Sequence, residues 1–147
     1  ASDALCAALQ VINHLQDCGQ DYRELDRVYL PLDALSAHGA TIEDLGSERA
    51  SPALLAVIRE LAERTSGLLH DSAIFPSLIQ DRRLSLEVAV IQSLAEALTG
   101  KLKRRDPLSE RVHASKPEAL ALAGLGILRG LRARRRTPAS LGARVAP

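Results

Sequence analysis

Apolar residues recur at three- and four-residue intervals through four long stretches of this chain, and no stretch alternates as a half-buried strand would. The first stretch puts Leu5, Ala8, Leu9, Ile12 and Leu15 on one side of a helix over about residues 3–22. The second opens at Ser51 with Pro52 at the first helical position, where proline is tolerated. It carries Leu54, Leu55, Ile58, Leu61, Ala62, Leu68 and Leu69 as far as a stop or kink at Pro76. The third covers residues 85–104, with Val88, Ala89, Ile91, Leu94, Ala95, Leu98 and Leu102, and Asp106-Pro107 breaks it. The fourth starts at Ser115-Lys-Pro-Glu118, which reads as a cap with Pro and Glu in the first turn, and runs to about residue 135. Between the first two, residues 31–39 have Pro at the start and Gly at the end of a short helix, and residues 41–46 read as another. The expected class is all-α: long antiparallel helices joined by irregular links.

A chain of 147 residues fits one domain and can bury a sizeable core. With one Phe, two Tyr and neither Trp nor Met, that core must be built from small aliphatics. We expect one all-α domain over residues 1–136 and a flexible tail over 137–147 (TPASLGARVAP). A net charge of +1 gives no whole-chain electrostatic reason to bind nucleic acid, and the shortage of stacking aromatics argues the same way. Cys6 and Cys18 form no C-x-x-C and have no His at zinc-finger spacing, so free thiols in a reducing cytoplasm are expected. The longest nearly uncharged apolar run, residues 119–128, is shorter than the ~20 residues a membrane span needs. The chain opens straight into helical pattern without a Met, which suggests a piece of a longer protein.

The polar side of the first helix is unusual. Gln10, Asn13, His14, Asp17 and Asp21 fall within roughly a third of the circumference at ~100° per residue. A solvated face usually mixes cations and anions in i,i+4 pairs. This stripe holds amides, one His and two carboxylates one turn apart, with no cation. Two like charges at that spacing repel, and more strongly in a cleft of low dielectric. A divalent metal with oxygen ligands would relieve the repulsion, and Asn13, Asp17 and Asp21 are its candidate ligands. Their shared arc predicts side-chain oxygens converging on one point that faces a cavity. The alternative is that both Asp simply face water near a helix end. The residues by themselves leave both open.

The segment Gln10-Val-Ile-Asn13-His-Leu-Gln-Asp17-Cys-Gly-Gln-Asp21, followed by Arg27-Val-Tyr29-Leu-Pro31, resembles the second aspartate-rich motif of squalene/phytoene synthases. That motif reads roughly Q-x-x-N-x-x-x-D-x-x-x-D, then R-x-Y-x-P, and every position is matched. The later helices match in pattern only. The resemblance covers nearly the whole chain as the C-terminal half of that family, and the first aspartate-rich motif would lie in a missing N-terminal half. Many members have Arg where this chain has Gln16. That form, with Arg105-Asp-Pro-Leu-Ser-Glu-Arg-Val-His113, looks most like the bacterial hopanoid-pathway branch of hydroxysqualene synthase type.

The resemblance implies an isoprenoid-synthase fold and Mg²⁺-dependent chemistry on farnesyl or presqualene diphosphate. Asp17 and Asp21 would be catalytic, acting with Asn13 as metal ligands. Gln10, Arg27 and Tyr29 would face the substrate as amide donor, phosphate-pairing cation and aromatic hydroxyl. It implies either conversion of presqualene diphosphate to hydroxysqualene or head-to-head condensation of two farnesyl or geranylgeranyl diphosphates. By itself the chain, with one acidic cluster, would be inert.

Outside the motif, residues 101–105 (KLKRR) and 129–136 (RGLRARRR) are basic helix ends. Favourable charge at a helix C-terminus explains them, and contact with diphosphate, or with anionic lipid head groups at the inner membrane face, is the functional alternative. A reading from another class follows: a non-enzymatic helical module that binds acidic partners through this basic end. Gly124-Leu-Gly126 has no strand before it and is read as a site of close helix packing, not a phosphate loop. His38, His70 and His113 stand at unrelated positions and suggest no catalytic constellation.

Overall fold

The computed structural model describes residues 1–136, which form six α-helices and one 3₁₀ turn with no strand among them. The helices are α1 (Ser2–Leu25), α2 (Leu32–His38), α3 (Pro52–Ser72), α4 (Phe75–Leu78), α5 (Arg82–Leu102) and α6 (Lys116–Arg136). The 3₁₀ turn is Glu43–Gly46, and the Asp44 carboxylate accepts from Thr41 N at 2.8 Å just ahead of it. The tail expected over residues 137–147 lies outside the described residues.

Local chemistry places the helix ends. Ser51 caps α3 by accepting from Leu54 N at 3.1 Å. Asp81 caps α5 in the same way, from Leu84 N at 2.7 Å, so α5 begins three residues earlier than the periodicity predicts. The apolar pattern is blind to that cap because Arg82 and Arg83 precede the first apolar residue of the helix. Pro76 ends no helix. The chain leaves α3 at Ser72, and Pro76 sits in the first turn of the separate α4, where its missing N–H costs nothing. Gly39, at φ 70°, closes α2 in the left-handed region. α1 runs to Leu25 and stops because Asp26 takes the same region at φ 51°.

α1, α3 and α5 pack together, and α6 lies on the far side of α5 and against α4. One core cluster joins Leu5, Ile12 and Leu15 of α1 to Ala62 and Leu69 of α3 and to Val88, Ala95 and Leu102 of α5. A second, at the Asp21 end of α1, gathers Cys18, Leu30, Leu35, Leu45, Leu54, Val57, Ile58 and Leu108. The polar groups buried between α3 and α5 are satisfied, as interiors require. Gln92 donates to Leu69 O at 2.7 Å and accepts from Ser72 Oγ at 2.9 Å. No helix of the described residues is long and apolar enough to cross a membrane.

The small residues of α6 do permit close packing. A Cβ on Gly126 would stand 2.7 Å from Val90 Cα and 2.8 Å from Ala89 O, and one on Gly130 would stand 3.1 Å from Leu86 Cδ2. Gly124 meets nothing within 4 Å. Ion pairs Lys101–Glu118 at 2.5 Å and Arg129–Glu96 at 2.9 Å fasten both ends of the contact. Gly126→Ala therefore has to push backbone from backbone and is expected to destabilise the chain by about 1–3 kcal/mol. Gly124→Ala is expected to be neutral or stabilising by up to ~1 kcal/mol, through helix propensity alone. Thermal unfolding midpoints of the two variants check the contrast; equal shifts would refute the close contact.

Candidate active site

α1 carries the site because its opposite face is fixed. Leu5, Ala8, Ile12 and Leu15 are buried, which turns Gln10, Asn13, His14, Asp17 and Asp21 away from the core. Gln10 and Asn13 are exposed, and His14, Asp17 and Asp21 are half-buried. Neither Asp17 nor Asp21 is within ion-pair distance of a cation among the described residues. Arg23, the nearest cation on α1, donates instead to Leu45 O at 3.4 Å and Ser47 O at 3.3 Å, tying down the 3₁₀ turn.

The segment after α1 doubles back along it. The backbone N–H groups of Asp26 and Arg27 both reach the carbonyl of Asp21, the latter at 3.2 Å, which reverses the chain in a Schellman-like turn. Leu30 is then buried in the second core cluster and Pro31 leads into α2. Between these anchors Tyr29 lays its ring on His14, with centroids 4.0 Å apart and planes at 18°. Arg27 is held above its ordinary pKa, first by a hydrogen bond to Tyr29 and more weakly by the charge of Asp21. The structure thus brings Arg27 and Tyr29 to the carboxylate-bearing side of α1. His14, which the sequence sets in the polar stripe with no role of its own, is the ring that Tyr29 meets. The Arg-x-Tyr spacing could not reveal it, because the contact depends on the reversal at Asp26.

Asn13, Asp17 and Asp21 offer only oxygen donors, the kind Mg²⁺ prefers, and the two carboxylates lack a neutralising partner. Among the described residues no group of three or more His, Cys, Asp or Glu side chains gathers into a metal site. An amide and two carboxylates still suit an ion that keeps water and phosphate in most positions. The expectation of one shared point needs narrowing. In an unbroken helix, Asn13 and Asp21 are separated by a rise of ~12 Å and neighbours by ~6 Å. Neighbouring pairs can share an ion whose bonds are ~2 Å; all three residues cannot.

Behind the stripe, the side-chain amide of Gln16 donates to Val112 O and lies 3.1 Å from His113 Nδ1. A Cβ on Gly19 would stand 2.9 Å from Leu108 Cγ. Gln16 and residues 105–113, remote in sequence, therefore brace one another at the back of α1. The other singled-out groups have structural partners. His38 pairs with Glu60 at 2.6 Å, and this contact comes first among the causes that lower the Glu60 carboxyl. Lys101, Lys103 and Arg105 of the first basic cluster pair with Glu118, Glu63 and Glu110. In the second cluster Arg129 pairs with Glu96; the side chains of residues 133–136 lie outside the described part.

An all-α bundle that displays an amide–carboxylate helix face beside an Arg–Tyr strap is of the isoprenoid-synthase class. The squalene/phytoene synthase profile matches residues 1–118, and the chain belongs to that family. It is 56% identical over 128 residues to the hydroxysqualene synthase of Rhodopseudomonas palustris, covering 87% of this chain and 44% of that protein. It is 57% identical over 122 residues to the hydroxysqualene synthase of Zymomonas mobilis (83% and 41%). It is 34% identical over 106 residues to the phytoene synthase of Thermus thermophilus (72% and 36%). The chain thus spans less than half the length of the curated relatives it matches. No solved structure matches it.

Next to the site, burial pushes the Cys18 thiol up from 9.0 to about 12, whereas Cys6 is exposed. The thiolate is the nucleophile, so Cys18 is unreactive while the chain is folded. A maleimide at neutral pH is expected to modify Cys6 alone in the native protein and both thiols in denaturant, as read by intact mass. Native Cys18 keeps its proton where the unfolded chain loses it, so this group's stabilisation is complete below about 9 and is lost as pH rises toward about 12. Rapid native labelling of Cys18 would contradict the packing around it.

Proposed function

We propose that the protein to which this chain contributes converts presqualene diphosphate to hydroxysqualene with release of diphosphate, in an Mg²⁺-dependent reaction of squalene and hopanoid biosynthesis. The observation that carries the reading is the unpaired Asp17–Asp21 face with Arg27 and Tyr29 folded back beside it. The two hydroxysqualene synthases at 56% and 57% identity support the choice of reaction. The phytoene synthase at 34% supports the second reading, condensation of two farnesyl or geranylgeranyl diphosphates.

In the proposed step the carbon–oxygen bond to diphosphate breaks, with the electron pair leaving on the phosphate oxygen. The cyclopropylcarbinyl cation left behind rearranges and opens its three-membered ring by breaking a ring carbon–carbon bond; a water oxygen then bonds to the resulting open-chain carbocation and gives up one proton to the released diphosphate or to bulk water. Mg²⁺, when bound, supplies the positive charge that the departing diphosphate requires. Asn13, Asp17 and Asp21 would hold such ions from α1, a neighbouring pair to each ion. Arg27 pairs with phosphate oxygens by charge-assisted hydrogen bonds, and Gln10 donates from the same face. The Tyr29 ring, stacked on His14, carries its hydroxyl on the same side of α1 as Arg27. An N-terminal half carrying the first aspartate-rich motif supplies the opposite side of the grip and the rest of the apolar wall.

We place the enzyme in the cytoplasm, with peripheral contact at the inner membrane face through the basic end of α6. With Lys101, Lys103, Arg105 and Arg129 paired within the fold, Arg132 is the described cation of α6 that would make that contact.

The test is made in the full-length enzyme with Asp17→Asn and Asp21→Asn, which keep shape and remove the charge that holds the metal. Turnover at saturating Mg²⁺ is expected to fall by orders of magnitude with the circular dichroism spectrum unchanged. Product analysis by mass spectrometry separates hydroxysqualene from squalene and phytoene. Near-normal turnover by both variants would end the proposal. Absence of Mg²⁺-dependent binding of a farnesyl thiodiphosphate analogue would favour the non-enzymatic module instead.

A further inference from the structure

We infer that His14 is a positioning residue: its ring, stacked on Tyr29, holds the 26–31 strap so that Arg27 stays beside the Asp21 end of the carboxylate face. The inference rests on the reading of Arg27 as the diphosphate's partner.

The strap is secured at both ends and free in the middle. At one end the Asp26 and Arg27 N–H groups are bonded to Asp21 O, and at the other Leu30 is buried. Neither anchor fixes the Tyr29 side chain, which leaves the backbone between them. What fixes it is the face-to-face contact with His14, at 4.0 Å and 18°. A ring stacked that closely cannot rotate about its χ angles without losing the contact, so it holds the middle of the strap against α1. Hence the order of control runs from His14 to the Tyr29 ring, to the backbone of residues 27–30, and so to the position of Arg27 beside Asp21. Arg27 is exposed, so without that hold the freedom of the strap that carries it would have to be lost when diphosphate binds.

The geometry also says which property of His14 matters. Neither ring nitrogen of His14 has a hydrogen bond to another described residue, so the imidazole is used here as a flat plate. Leucine or alanine at this position would leave Tyr29 able to pivot. Phenylalanine would keep a plate and remove both nitrogens.

The experiment uses the full-length enzyme with His14→Ala, His14→Phe, Tyr29→Leu and the double variant His14→Ala/Tyr29→Leu. Three readouts are taken: hydrogen exchange of the amides at 27–30 without ligand, affinity for inorganic diphosphate with Mg²⁺, and kcat and KM for presqualene diphosphate. For His14→Ala we expect faster exchange in the strap, diphosphate affinity weaker by roughly two- to tenfold, and the loss appearing mainly in KM. His14→Phe is expected to restore all three. The double variant is expected to be no worse than Tyr29→Leu, because both changes break one contact. Unchanged exchange and affinity in His14→Ala overturn the inference, as does a His14→Phe as defective as His14→Ala. Additive losses in the double variant overturn it too. If the wild-type enzyme shows no turnover of presqualene diphosphate, the proposed reaction fails, while strap exchange and diphosphate affinity still decide the role of His14.

Discussion

Everything at the candidate site depends on α1 remaining a straight, unbroken helix from Asn13 through Asp21. The polar stripe exists only because residues four apart return to the same face, and a kink would scatter its oxygens. Nothing on the polar side supports that straightness. It comes from the other side, where Leu5, Ala8, Ile12, Leu15 and Cys18 are buried against α3, α5 and the 3₁₀ turn region. Gln16 and Gly19 add a brace from residues 108–113, one by hydrogen bonds and one by allowing Leu108 to approach the helix backbone. Burial on one face thus holds a strained charge pattern on the other.

The long helices were legible in the sequence because their information is local. The 3.6-residue repeat and the Ser51 cap state α1, α3 and α5 outright. What was not legible is where non-local contacts or rare backbone states decide. Asp26 in the left-handed region is an uncommon choice for a non-glycine residue, and nothing in the run of residues 21–31 announces it. Yet that one turn aims Arg27 and Tyr29 back at α1 and sets Tyr29 on His14. Similarly, the motif match named Gln16 and residues 105–113 as two separate peculiarities. Their hydrogen bond shows them to be one feature, a brace, which spacing alone could not express. Asn13, Asp17 and Asp21 share an arc of α1, but an arc on a projection hides the axial rise between them, which a single meeting point would have to span.

The basic ends illustrate the opposite error of reading charge by count. Residues 101–105 look like a cationic patch in sequence, yet three of their four cations face carboxylates contributed by α3, α6 and the 106–115 link. They act as fasteners between layers, and Lys101 alone joins Glu118 and the carbonyl of His113. A cluster's sign says little about its partners until the fold shows which anions lie opposite.

Charge accounting explains why the site takes the form it does. Two carboxylates ~6 Å apart repel by under ~1 kcal/mol in water but by about 3 kcal/mol at an effective dielectric near 20. The face is therefore tolerable while half-buried and wet, and would grow unfavourable if a bound apolar chain displaced the water. On the proposed reading, a diphosphate arriving at the same place would add further negative charge, against which Arg27 supplies one positive charge. Divalent cations held by Asn13, Asp17 and Asp21 would supply the remainder, so the same repulsion that mildly destabilises this face would make metal and diphosphate bind as a unit, each removing the electrostatic penalty of the other.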